Sequence, residues 1–162
     1  MFANTLNRNL VRVVLFVVVI LSIVSCKKEE IVDPPAQLIT PFSGITTTDS
    51  TGRIIASVDS IDWKSISVGS KHYILRPAYP NPCSVGRGFV FQWYQQSRDS
   101  VVITLNDSPS HVLATLVAAR LDSGNYEVMN EVIGFQPAIY RLFFQIVKTD
   151  STHITYGDIQ VN

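Results

Sequence analysis

From Phe89 to Tyr94 the chain alternates without a break: Phe89, Phe91 and Trp93 take one side, and Val90, Gln92 and Tyr94 the other. A period of two marks a strand with one buried face. Residues 101–105 repeat the pattern, and Asn106-Asp107-Ser108-Pro109-Ser110 reads as the turn that follows. Residues 112–117 predict the next strand, although 116–121 also fit one helical turn. After Ser123-Gly124-Asn125 the alternation resumes at Tyr126, Val128, Asn130 and Val132. It is clearest at Tyr140, Leu142, Phe144 and Ile146, and residues 154–161 close the series around Gly157-Asp158. Upstream, threonine-rich residues 45–48, a turn over 49–52 and β-branched residues 53–58 predict a hairpin, with a second turn at 59–63. Short strands, frequent turn signals and no long amphipathic helix together predict an all-β fold, an antiparallel β-sandwich.

A different pattern opens the chain. Arg8 and Arg12 precede an apolar run over residues 13–21, which ends in Ser22-Ile23-Val24-Ser25. At Cys26 the polarity switches to Lys27-Lys28-Glu29-Glu30. A cationic start, a hydrophobic core and a small residue before a cysteine read as a bacterial lipoprotein signal. Residues 13–24 fall short of the roughly 20 apolar residues that span a bilayer, so a membrane helix with Arg12 snorkelling is the weaker alternative. Ile23-Val24-Ser25-Cys26 resembles the lipobox of bacterial lipoproteins. That resemblance implies a diacylglyceryl group on the Cys26 thiol, removal of residues 1–25 as a signal peptide, and acylation of the new amine. Two or more acyl chains give stable anchoring, which one chain does not. Residues 27–30 are either the solvated start of a linker or, by resemblance, an export tag of surface-exposed lipoproteins. The second reading places the lipid-anchored protein in the outer membrane of the cell envelope, with its domain facing outward.

The expected organisation follows. Residues 26–44 form the lipidated N-terminus and a tether stiffened by Pro34, Pro35 and Pro41. Residues 45–70 form a β-hairpin-like extension, and residues 71–162 the sandwich. Within the last span stand Arg76-Pro77-Ala78-Tyr79-Pro80-Asn81-Pro82, then Val101-Val102-Ile103-Thr104-Leu105-Asn106-Asp107, Gly124-Asn125-Tyr126-Glu127-Val128 and Pro137-Ala138-Ile139-Tyr140-Arg141. In this order and spacing they resemble the Ig-like C-terminal domain of proteins sorted by the type IX secretion system, which is similar to the Ig-like domain of the flagellar hook-capping protein. The resemblance implies an Ig-like or fibronectin III-like sandwich. Pro80 and Pro82 cannot donate to a ladder and should carry the chain between sheets. Tyr140, after Phe135-Gln136-Pro137, is set like a tyrosine corner. An anchor at one end makes a cleavable sorting signal at the other redundant, so the expected role is structural or interactive.

Charge narrows the partners. Removing residues 1–25 takes away two of 13 basic residues and none of 13 acidic ones, which leaves a net charge of −2 over 137 residues. No basic field exists to attract nucleic acid. One of the two cysteines serves the anchor, so Cys83 has no intrachain partner and is expected as a small buried hydrophobe.

The chain displays little chemistry. His72, His111 and His153 stand in no metal-ligand spacing. Asp49, Asp59 and Asp62 do not follow a calcium-loop spacing and read as turn residues. No nucleophile elbow or phosphate loop is present, Gly86-Arg87-Gly88 is a short turn, and Glu127 and Glu131 lie on one strand face without forming an acid–base pair. The expectation is a protein that is not an enzyme and uses no cofactor or metal. It would meet an envelope protein through a strand edge or the end loops at 108–110 and 149–153. The alternative is glycan or small-ligand binding through Trp63, Trp93 or Tyr94, although aromatics in strands are usually core.

Overall fold

The computed structural model describes Phe42 and residues 44–162; Cys26, the expected leader and most of the tether lie outside them. Eight strands follow in order: β1 (Ile66–Val68), β2 (Lys71–Leu75), β3 (Gly88–Gln95), β4 (Asp99–Ser108), β5 (His111–Leu121), β6 (Gly124–Glu131), β7 (Ala138–Val147) and β8 (Thr152–Val161). They form two antiparallel four-stranded sheets, β1-β2-β3-β6 and β5-β4-β7-β8, packed face to face. With β1, β2, β3 and β6 in one layer and β5, β4, β7 and β8 in the other, this is an antiparallel β-sandwich. Among the described residues no helix is long and apolar enough to cross a membrane.

The core follows the alternation. Phe89, Phe91 and Trp93 of β3 meet Ile103 and Leu105 of β4 and Leu142, Phe144 and Ile146 of β7, all buried. Phe91 and Trp93 lie edge-on to Phe144 with centroids 6.2 and 5.8 Å away, a favoured aromatic geometry. Cys83 is buried in the same core, where burial raises its thiol pKa. Tyr140 is the third residue of β7, and its hydroxyl donates to the Gln136 carbonyl at 2.7 Å, the bond expected of a tyrosine corner.

Several local expectations shift. Residues 106–108 are strand rather than turn, because bulges between β4 and β5 let both strands continue to Ser108 and His111. Residues 116–121 belong to β5 and form no helical turn. Gly157-Asp158 lies inside β8. A Cβ at 157 would overlap the indole of Trp63, so glycine is required there.

The largest shift concerns residues 45–70. The hairpin there is reduced to the bridge between Thr48 and Ile54 and neighbouring backbone bonds, without a regular strand pair. The segment is also built into the sandwich. Thr46, Thr48, Asp62 and Trp63 are buried, and β1 pairs with β2, so the sheets begin at Ile66 and not at residue 71. Trp63 sits at φ 56°, a left-handed conformation that costs about 1–3 kcal/mol for a bulky residue. Burial of its ring beside Phe91 (5.6 Å) and its N–H bond to the Tyr156 carbonyl (2.7 Å) hold it there.

Candidate functional site

Four arrangements carry polar chemistry, and each is positioned by strand register. The first lies along β8. Its outward backbone groups would form an open edge, but from Tyr156 to the end of the strand Asp62, Trp63, Asn81 and Cys83 cap them. Trp63 donates to the Tyr156 carbonyl, Cys83 to the Gln160 carbonyl and Asn162 to the Cys83 carbonyl, at 2.7, 2.9 and 2.9 Å. The Asp158 N–H donates to Asp62 Oδ2 at 3.0 Å. Asn81, from the Tyr-Pro-Asn-Pro motif, donates from Nδ2 to the carbonyls of Thr46 (3.0 Å) and Asp158 (2.9 Å) and accepts from the Gln160 N–H (2.9 Å). The peptide bonds before Pro80 and Pro82 are both cis.

Beside this seam is a buried ion pair. Arg141 on β7 donates to both carboxylate oxygens of Asp158 on β8, at 2.6 and 2.8 Å, with side chains 1% and 0% exposed. The guanidinium lies 4.0 Å from the Tyr156 ring centroid and 4.4 Å from that of Phe42. A fork-to-fork pair satisfies two buried charges at once, and removal of either partner is strongly destabilising. Burial pushes the neighbouring Asp62 up to about 7, and the Asp158 N–H bond offsets only part of that shift. Asp62 Oδ1 and Trp63 Nε1 have no hydrogen-bond partner.

The second arrangement closes the opposite ends of the sheets. Asp99 at the start of β4 accepts from Lys148 after β7, from the Tyr73 hydroxyl of β2, and from Ser97 at 2.6 Å. Burial works to raise Asp99 and to lower Lys148, but the hydrogen bonds within the cluster outweigh it and leave Asp99 lowered and Lys148 raised. Tyr73 is raised by burial and by its bond to Asp99. All three move away from neutrality, the reverse of what a proton-transfer group needs. The neighbouring Gln95, fully buried, donates to the carbonyls of Ser97 and Leu121 at 3.0 and 2.9 Å.

The third arrangement is the outer face of β2, β3 and β6, where Gln92 donates to Glu127 (2.6 Å) and to the Tyr79 hydroxyl (3.0 Å). The fourth is the pair of adjacent edge strands β5 and β6. β5 runs eleven residues, pairs only with β4 among the described residues, and exposes Val112 and Leu113.

The residues singled out in the sequence are dispersed over this frame. His72, His111 and His153 bond to Ser67, Asp107 and Ser151 on separate elements. Asp49 accepts from Thr51 and Arg53, and Asp59 from Ile61, so both work as turn acceptors. Trp63 and Trp93 are core, whereas Tyr94 is half-buried on the outer face. Among the described residues no three His, Cys, Asp or Glu side chains converge as a metal site. Sequence reading overlooked Arg141–Asp158 and Asp99–Lys148. Their signal is a lone charge within an apolar strand, but naming the partner needs the register between strands.

No protein-family model, curated protein or solved structure matches the chain.

Proposed function

We propose that this protein is a lipoprotein of the bacterial cell envelope, anchored through Cys26 in the outer membrane, whose sandwich serves as a structural or protein-interaction module. The observation that carries the interaction role is the contrast between strand edges. From Tyr156 to Gln160 the edge of β8 is capped by residues between Asp62 and Cys83, whereas β5 has no such cover at any position among the described residues. Arg120 is its only permanent charge, and edges without charges or cover invite pairing. An extended segment of a partner protein added to β5 would gain main-chain hydrogen bonds, with side-chain pockets adding selectivity. The anchor rests on the leader and on the lipobox-like Ile23-Val24-Ser25-Cys26. The resemblance to Ig-like sorting domains is supported by the roles of two motif residues, the Asn81 strut and the Tyr140 corner. In an anchored chain that fold is retained for contact and not for sorting.

Two measurements test the reading separately. Mass spectrometry of the mature protein should find an acylated Cys26 at the N-terminus, and Cys26→Ser should move the protein to the soluble fraction. An intact leader or an unacylated Cys26 overturns the anchor. A photo-crosslinker at Ala118 in intact cells should give a discrete protein adduct that Val112→Lys or Thr115→Pro suppresses. No adduct, or one indifferent to both changes, overturns the edge.

A further inference from the structure

The outer face of β2, β3 and β6 carries an array that the core does not require. Register places Ile74, Tyr94 and Asn125 side by side in one row. Arg76, whose N–H bonds the Gln92 carbonyl, lies beside Gln92 and Glu127 in the next. These positions alternate with Leu75, Trp93 and Tyr126, which pack into or against the core, so the six side chains share the opposite face. They line an open depression of about 550 Å³. Strands of a packed sheet hold such groups more rigidly than loops do.

The chemistry of the array narrows what it can hold. The backbone here is already committed to the β2–β3–β6 ladder, so a ligand must be recognised by side chains alone and cannot add as a strand. Arg76 and Glu127 flank the neutral Gln92, and their charges cancel, so the row selects no ion. Guanidinium, carboxamide and carboxylate groups present several donors or acceptors in one plane. Tyr94 adds an aromatic ring with a polar tip one row away. The contact from Gln92 to Glu127 and Tyr79 pre-orients two of these groups and leaves Gln92 Oε1 available to accept. Adjacent hydroxyls on a ring with one apolar face match this set.

We propose that this face binds a neutral saccharide, which stacks on Tyr94 and is hydrogen-bonded by Arg76, Gln92, Asn125 and Glu127. The site does not depend on the anchor or on the β5 edge: Cys26→Ser and Val112→Lys proteins should bind the sugar unchanged.

The test uses the full acylated protein in a detergent without a sugar headgroup. It is titrated by calorimetry with neutral oligosaccharides of glucose, mannose, xylose and N-acetylglucosamine. At least one should bind. Tyr94→Ala and Gln92→Ala should each weaken that binding by about tenfold or more, the scale of a lost aromatic or polar anchor, with unchanged melting curves. Tyr94→Phe, which keeps the ring, should retain most of the affinity. Absence of binding across the four sugars overturns the proposal, as does affinity indifferent to both alanine variants.

Discussion

Asp62 is the ionisable residue that reports most directly on how the 45–63 segment sits on β8. Its carboxyl is raised to about 7 by burial, whereas an unfolded aspartate titrates near 3.9. Between these values the folded protein binds more protons than the unfolded chain, so this residue's stabilising contribution falls as pH rises through that window. Asp62→Asn keeps an oxygen for the Asp158 N–H and removes the titration. The difference in melting temperature between wild type and Asp62→Asn should therefore turn against the wild type from about pH 4 to pH 7 and level off above it. Parallel curves would sink the assignment. Asp99 works in the opposite sense. Although burial opposes it, its bonds to Lys148, Ser97 and Tyr73 lower the pKa, so its contribution is present above the unfolded value and lost in acid. Neither behaviour is legible in the sequence, where both are aspartates beside turns. Burial sets the first and the Lys148 contact the second.

At the scale of elements, the edge of β8 decides most. Asn81 holds three buried partners, and Asn81→Ala would leave the Thr46 and Asp158 carbonyls and the Gln160 N–H without it. Each lost partner in a buried setting costs about 1–3 kcal/mol, so urea unfolding should show a loss of roughly 3 kcal/mol or more. A loss below about 1 kcal/mol would mean that water replaces the amide easily. The motif was visible as a rigid turn because prolines flank an asparagine, but its use as a strut was not. A turn is a local property, whereas the strut joins positions as far apart as Asn81 and Asp158. The length of β4 was likewise hidden, because two turn-forming residues, Asn106 and Asp107, sit where bulges let the ladder continue.

For the whole molecule, the 45–63 segment is a structural member of the sandwich. It supplies Trp63 to the core and covers β8. Deleting residues 45–63 should expose that edge, remove the monomeric peak in size-exclusion chromatography and abolish cooperative unfolding. A monomer that melts as before would make the segment the detachable extension that its composition suggested. The buried Arg141–Asp158 pair belongs to the same logic, since the segment's Asp62 bonds to the Asp158 backbone.

The chain by itself determined which residues alternate and therefore which faces of β3, β4 and β7 are core. It also determined that Tyr140 stands four residues after the carbonyl it needs. These depend only on backbone period and short spacing. The tertiary structure alone decided which strand edge is closed, which buried charges meet, and which polar residues of β2 and β6 stand beside Tyr94. Those outcomes depend on register between strands distant in sequence, and periodicity carries no information about register.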